Sequence, residues 1–288
     1  MTPLRQRLID ELDLRGYAVK TRDNYVSAVI RLAGHWRKPP DQLTDDEIKQ
    51  YLLHLIRVRK LARPTVNVAV SALRFFYQHV LGRSLSVIED ALPRMRSSIK
   101  RPQVYSIEEI ERLFSAPGLN PKHRVLLMTA YAAGLRVSEV CRLRAEDILS
   151  QRMQIRVVQS KGRKDRYTVL SHRLLAELRA YWLTFRPKGC LFPSPSTEQP
   201  VTTRTAERVF RKAVKHACLP DRGGIHCLRH SFATHMLENG VDLVVLQRLL
   251  GHRSLSATSI YLHVSQMRLQ NVCSPLDLVD VTQLKTQA

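Results

Sequence analysis

The sequence predicts a mainly α chain in two domains: helices alone first, then a mostly helical domain holding a small antiparallel β-sheet. Three observations predict it. Apolar residues recur at helical spacing, between capping signals, along the whole N-terminal part, with no alternating run among them. A basic, proline-bracketed segment, "LPRMRSSIKRPQ", then interrupts the pattern. Beyond it helices return, and two alternating runs, "MQIRVVQS" and "RYTVL", flank the glycine-containing turn "KGRKD". The expected boundaries are 1–91 for the helical module, 92–103 for a basic linker and 104–288 for the second domain with its C-terminal tail.

Each element has its own signal. "LRQRLIDELDLRG" closes at Gly16, and "TRDNYVSAVIRLAGHW" follows as the second helix. Thr44 to Glu47, "TDDE", is a capping box opening "IKQYLLHLIRVRK". "PTVNVAVSALRFFYQHVLG" begins with Pro64 and closes at Gly82. After the linker, Ser106 and Glu109 form a second capping box. "NPKHRVLLMTAYAAG" has Asn120 as N-cap, Pro121 at the first helical position and Gly134 as stop. The two strands come next, then "HRLLAELRAYWLTF" and further helices, among them "VDLVVLQRLLGH" with Asp242 as N-cap and Gly251 as stop.

Charge narrows the function. Lys and Arg number 46 against 25 Asp and Glu, a net +21. The first hundred residues hold 18 basic and 10 acidic residues and the rest 28 and 15, so the excess belongs to the whole chain rather than to a tail. Such a chain suits a polyanion, DNA or RNA above all. Five scattered cysteines (141, 190, 218, 227 and 273) form no CxxC pair, which argues against a disulfide framework or zinc ribbon and for a reducing compartment. The charged N-terminus is unlike a signal peptide, and the longest uncharged apolar run, Val125 to Leu135, is short of the roughly 20 residues a membrane span needs. A soluble, cytoplasmic protein is expected.

The chemistry-bearing residues are few. Arg136 stands at the mouth of a helix, beside amides suited to a phosphate, with Glu139 three residues on to orient it. Lys161 and Lys164 lie in the hairpin turn. His226, Arg229 and His230, at i, i+3 and i+4, share a helix face. The order H-C-L-R-H lacks the glutamate of a zinc-protease helix, and Arg229 would repel a dication, so an anion fits better than a metal. His230 and His235 read as core or supporting histidines. His252 follows Gly251, and Tyr261 comes nine residues later. Singly, each is an ordinary surface or core residue. Together they suffice to attack a phosphodiester without metal: a tyrosine nucleophile, cations for the non-bridging oxygens and a lysine for the leaving oxygen.

In order along the chain, "GLRVSE", "SKGRKDR", "HCLRHSFATH", "LGH" and "TSIYLHV" resemble the signature boxes of the tyrosine recombinase (phage integrase) family, and the N-terminal helices resemble its SAM-like core-binding domain. One box alone would be weak; five in order are specific. The resemblance implies that Arg136, Lys161, His226, Arg229, His252 and Tyr261 are the six active-site residues, with Glu139 in the supporting acidic position. Lys164 rivals Lys161, which fits the strand-turn placement better. Cys227 departs from the threonine or similar small residue of relatives. The resemblance further implies site-specific DNA cleavage and rejoining through a 3′-phosphotyrosyl link, with no metal, ATP or other cofactor, and with His226 assisting the tyrosine's proton transfer. The implied partners are double-stranded recombination sites and copies of the same chain. They form a tetramer on two DNA sites whose C-terminal segments pack in trans, and the implied setting is the bacterial cytoplasm, nucleoid-associated when on DNA.

Size and layout resemble the chromosome-dimer-resolving recombinases, and "SPLD" at Ser274–Asp277 resembles integron integrases. Pro187 to Val201 leaves no room for the latter's long insertion, and no arm-binding domain precedes the helices, so a compact mobile-element integrase is the favoured reading. Three rivals remain: a non-cutting DNA-binding regulator, a topoisomerase or telomere resolvase, and a metal-dependent hydrolase.

Overall fold

The computed structural model describes residues 2–84, 92–95, 102–158, 165–194 and 199–262. The chain divides into two compact units, residues 1–99 and 100–288.

Among the described residues of the first unit the regular elements are all helices. Its elements are α1 (Pro3–Leu14), α2 (Val19–Trp36), α3 (Asp45–Arg57) and α4 (Arg63–Phe75). The Thr44–Glu47 box forms in both directions: the Thr44 hydroxyl accepts the Glu47 amide, and the Glu47 carboxylate accepts the Thr44 amide. α4 packs on α2 and α3 around Leu8, Leu12, Leu32, Ile48, Val66, Val70 and Leu73. The helix expected to close at Gly82 changes form before its end. α4 widens into a π turn over Phe76–Val80. Phe75, Phe76 and Tyr77 are consecutive and all buried. Successive side chains on a regular helix point about 100° apart, which would swing one of the three rings toward solvent. The wider turn keeps all three inside and lets the Tyr77 hydroxyl donate to the Pro40 carbonyl at 2.8 Å. At the start of the basic segment, Leu92 is buried against this core and Met95 exchanges two hydrogen bonds with Asn67.

In the second unit, α5 (Ile107–Phe114) carries the Ser106–Glu109 box and α6 (Pro121–Ala132) starts on the Asn120 cap. α7 (Val137–Arg142) follows. The three-stranded antiparallel sheet comprises β1 (Ile148–Leu149), β2 (Gln154–Val157) and β3 (Arg166–Val169) in that order. α8 (His172–Phe185), α9 (Thr203–His216), α10 (His226–Glu238), α11 (Leu243–Leu250) and α12 (Ser256–Ser259) complete it. Strand β1 has no sequence signal, because two residues between short 3₁₀ turns show no periodicity. β2 and β3 pair with Val157 opposite Arg166, so the expected hairpin forms, while its turn lies outside the described residues.

α6 is the central helix: every residue from Val125 to Ala130 is buried, and α8, α9 and α10 pack on it. Thr168 on β3 donates to the Ala133 carbonyl at 2.9 Å, tying the sheet to the end of α6. Buried Tyr105 donates its hydroxyl to the Pro220 carbonyl and its amide to the Ser231 hydroxyl oxygen, which anchors the start of the unit to α10. Among the described residues no helix is long and apolar enough to cross a membrane.

Candidate active site

Three chain turns meet at one point. The first follows α6, where Gly134 has φ +58° and its carbonyl faces α10. A Cβ there would lie 2.4 Å from the Phe232 ring, so both the backbone conformation and the packing require glycine. Two residues on, Arg136 is the N-cap of α7, and the Glu139 carboxylate accepts its amide at 2.8 Å. The second turn opens α10, whose start is held by Glu207 accepting the Ile225 amide at 3.1 Å. The third is the end of α11, where Gly251 at φ +63° stops the helix.

The carbonyls at that helix end are taken by three guanidinium groups. Arg166 donates to Leu249 at 2.9 Å, Arg229 to Leu250 at 2.6 Å and Arg136 to Gly251 at 3.3 Å. The C-terminus of a helix carries partial negative charge and unpaired carbonyls, so cations belong there. Arg229 spends a second donor on Gly134 at 2.7 Å. Glu139 sits among the three. Its carboxylate accepts from Arg136 at 2.8 Å and from both terminal nitrogens of Arg166 at 2.8 Å, with Arg229 at 3.8 Å. Burial by itself would raise the Glu139 pKa, but the Arg166 hydrogen bonds and charge, with those of Arg136, hold it down at about 2.

Arg229 is 1% exposed. Burial first, then the Arg136 charge, weaken its hold on the proton to about 9, which leaves it cationic near neutral pH. Tyr261, also 1% exposed, lies in the turn just after α12. Burial raises its pKa above the ordinary phenol value, and Arg229 and Arg136 partly oppose this. Its hydroxyl meets Nδ1 of His230 at 2.9 Å. His252 stacks on the Tyr261 ring, centroids 6.4 Å apart, and Thr258 engages its Nδ1 at 2.9 Å. His226, exposed at the first turn of α10, sets its ring edge-on to His230 at 4.9 Å. Burial first, then His226 and Arg229, lower the His230 pKa to about 4, and burial followed by Arg229 and Arg136 does the same for His252. The His226 value is lowered too, by the partial loss of solvent around its ring and then by Arg229 and Arg136.

The structure thus gathers Arg136, Glu139, His226, Arg229, His252 and Tyr261. Lys161 and its rival Lys164 lie outside the described residues. His235 is elsewhere, bonded to the Tyr131 hydroxyl at 2.9 Å. Sequence reasoning missed Arg166, Thr258 and the contact of His230 with the tyrosine hydroxyl. Arg166 had a signal: it shares the inward face of β3 with buried Thr168, and a buried charge demands a partner. Thr258 had none, and His230 had only its place on the helix face shared with His226 and Arg229, because its partner comes from a separate helix turn.

Residues 104–268 match the phage integrase family and residues 4–87 the N-terminal SAM-like domain of phage integrases. The chain is 40% identical over 279 residues to the putative integrase/recombinase y4qK of Sinorhizobium fredii, covering 97% of this chain and 90% of that one. It is 36% identical to tyrosine recombinase XerC of Halalkalibacterium halodurans, over 78% of this chain and 79% of the relative. In fold it is similar to a lambda integrase tetramer bound to a Holliday junction, with a TM-score of 0.72 at 21% identity, over 94% of this chain and 78% of the other. The chain therefore belongs to the phage integrase family and is a tyrosine-type site-specific DNA recombinase.

Proposed function

We propose that this recombinase cuts and rejoins DNA through a covalent link between Tyr261 and the 3′-phosphate, with neither metal nor ATP. The observation that carries the proposal is that Arg136 and Arg229 gather on the largely buried Glu139 carboxylate, while His252 stacks on the Tyr261 ring and His226 lies one ring further, against His230. Arg136, Arg229 and His252 hold the non-bridging oxygens. A guanidinium has five N–H donors, so Arg229 keeps three beyond the two spent on carbonyls. Thr258 takes Nδ1 of His252, which leaves Nε2 for a phosphoryl oxygen. Glu139 keeps like-charged guanidiniums close without their mutual repulsion opening the site. Lys161 protonates the departing 5′-oxygen. A 5′-hydroxyl of the partner strand then reverses the attack, and the phosphodiester bond energy is conserved.

Around this chemistry the helical unit grips duplex DNA, four copies assemble on two sites, and the tail from Ser274 packs on a neighbour. The lambda integrase tetramer on a Holliday junction supports that assembly at the level of the fold. The protein works in the cytoplasm on the bacterial nucleoid, as an integrase of a compact mobile element. The testing experiment compares wild type with Tyr261→Phe on a nicked suicide substrate in excess chelator. Wild type traps as a protein–DNA adduct, and the variant binds DNA without an adduct. Adduct persisting in the variant moves the nucleophile to another residue, and loss of the wild-type adduct in chelator, restored by a divalent ion, revives a metal mechanism.

A further inference from the structure

Attack by a tyrosine leaves a proton to be placed. The sequence reading gave that proton to His226, yet the ring that touches the hydroxyl is another. Nδ1 of His230 stands 2.9 Å from Oη of Tyr261. His252, though stacked on the same ring, has its Nδ1 engaged by Thr258, and the ring contact of His226 is with His230. Among the described residues Nδ1 of His230 is the hydrogen-bond partner of the hydroxyl of Tyr261, a residue only 1% exposed. A buried hydroxyl proton needs an acceptor, so Oη donates and Nδ1 accepts, which fixes the proton of the neutral ring on Nε2.

We propose that His230 is a catalytic residue of this recombinase, the general base that takes the Tyr261 proton during cleavage and returns it during rejoining. The proposal rests on Tyr261 being the nucleophile. As Oη bonds to phosphorus, its proton passes to Nδ1, making the ring an imidazolium, while the P–O5′ bond breaks and the 5′-oxygen takes a proton from the acid assigned to Lys161. In the reverse step the incoming 5′-hydroxyl gives its proton to that lysine. It bonds to phosphorus, and Oη leaves with the proton from Nδ1. No proton or electron pair is left over.

The setting couples the base to its substrate. In the protein alone, burial first, then His226 and Arg229, keep the ring neutral, so Nδ1 carries a lone pair at neutral pH. A phosphodiester brought against Arg229 and His226 adds negative charge beside the His230 ring, offsets the Arg229 charge and raises the ring's proton affinity. The base thus strengthens when a phosphate is present to be attacked, and the phenol stays protonated otherwise.

The test is single-turnover cleavage of the suicide substrate by the full chain, with tyrosine or 3,5-difluorotyrosine at position 261. The fluorinated phenol is more acidic and needs a base less. His230→Asn keeps an acceptor oxygen near the place of Nδ1, so it can still orient Oη, but it cannot take a proton. We expect His230→Asn to bind DNA as wild type does and to cleave about 10²–10⁴-fold more slowly, the usual share of a general base. With difluorotyrosine that loss should shrink by about tenfold or more, and imidazole should partly rescue His230→Ala. Cleavage by His230→Asn at or above the wild-type rate makes the hydrogen bond a resting restraint and overturns the proposal. An equal loss with both phenols, without imidazole rescue, makes His230 a positioning residue and overturns it too. Absence of a wild-type adduct, measured first, would instead remove Tyr261 as nucleophile and the proposal with it.

Discussion

At the scale of single residues, Glu139 carries the most electrostatic weight. It is 11% exposed in its side chain and answers three guanidiniums. Removing one partner of a buried ionic cluster typically costs about 3–5 kcal/mol, because the remaining charges lose their compensation. Glu139→Gln is therefore expected to lower stability by an amount in that range, read by urea unfolding, and to slow cleavage as Arg136 and Arg229 spread apart. Acid should probe the same group. The folded pKa of about 2 lies below the unfolded carboxylate value, so its contribution is present above about pH 4.5 and lost as pH falls toward 2. His230 and His252, held near 4, refuse protons that the unfolded chain takes below about 6.5, so stability already declines between those values. Unfolding of the DNA-free protein followed from pH 7 to 2 should show both windows, the lower one reduced in Glu139→Gln to what Glu47, Glu108 and Glu109, whose hydrogen bonds also lower their pKa values, contribute. Lys161 has its own prediction, from chemistry alone. A sulfur in place of the bridging 5′-oxygen leaves without a proton, so Lys161→Ala should cleave that substrate nearly as fast as wild type. Arg136→Ala should stay slow on both substrates, by about 10²–10³-fold. A lysine variant equally slow on both makes Lys161 a phosphate clamp.

At the scale of elements, the site is built from ends of helices rather than from their faces. α6 stops, α7 starts and α11 stops within reach of one carboxylate, and the arginines cap the free carbonyls of α11. The turn at Gly134 sets this geometry, because its carbonyl holds Arg229 and Arg136 follows two residues later. Gly134→Ala meets two penalties, a left-handed backbone costing about 1–2 kcal/mol and a clash with the Phe232 ring. We expect a stability loss above about 2 kcal/mol in thermal unfolding, together with slower cleavage. Phe232→Leu added to it should relieve the clash and leave the backbone part. No recovery would mean that the turn, rather than the ring, sets the whole penalty.

At the scale of the whole molecule, the net charge of +21 predicts the binding thermodynamics. Log affinity for non-specific duplex should fall linearly with log salt, by about 0.9 per phosphate neutralised. A flat response would count against the proposed grip on DNA. Truncation before Ser274 should leave single-site binding in place and abolish pairing of two sites, as seen in gel mobility. Unchanged pairing would return the tail to its own subunit.

Local signals were enough for much of this chain. The capping boxes at Thr44 and Ser106, the Asn120 and Asp242 caps and the glycine stops were legible because each is satisfied within four residues of chain. The candidate site residues were legible as a set because their order along the sequence resembles a family, not because spacing along the chain brings His252 near Arg136. Three features were decided by tertiary structure alone: the π turn at Phe76–Val80, the bidentate grip of Arg166 on Glu139, and the bond from Tyr261 to His230. Each depends on a partner supplied by another element, Pro40 for Tyr77, α7 for β3 and α10 for the tyrosine turn. A sequence records which groups can bond, whereas burial against a distant element decides which of them must, since a buried polar group left unpaired is too costly to keep.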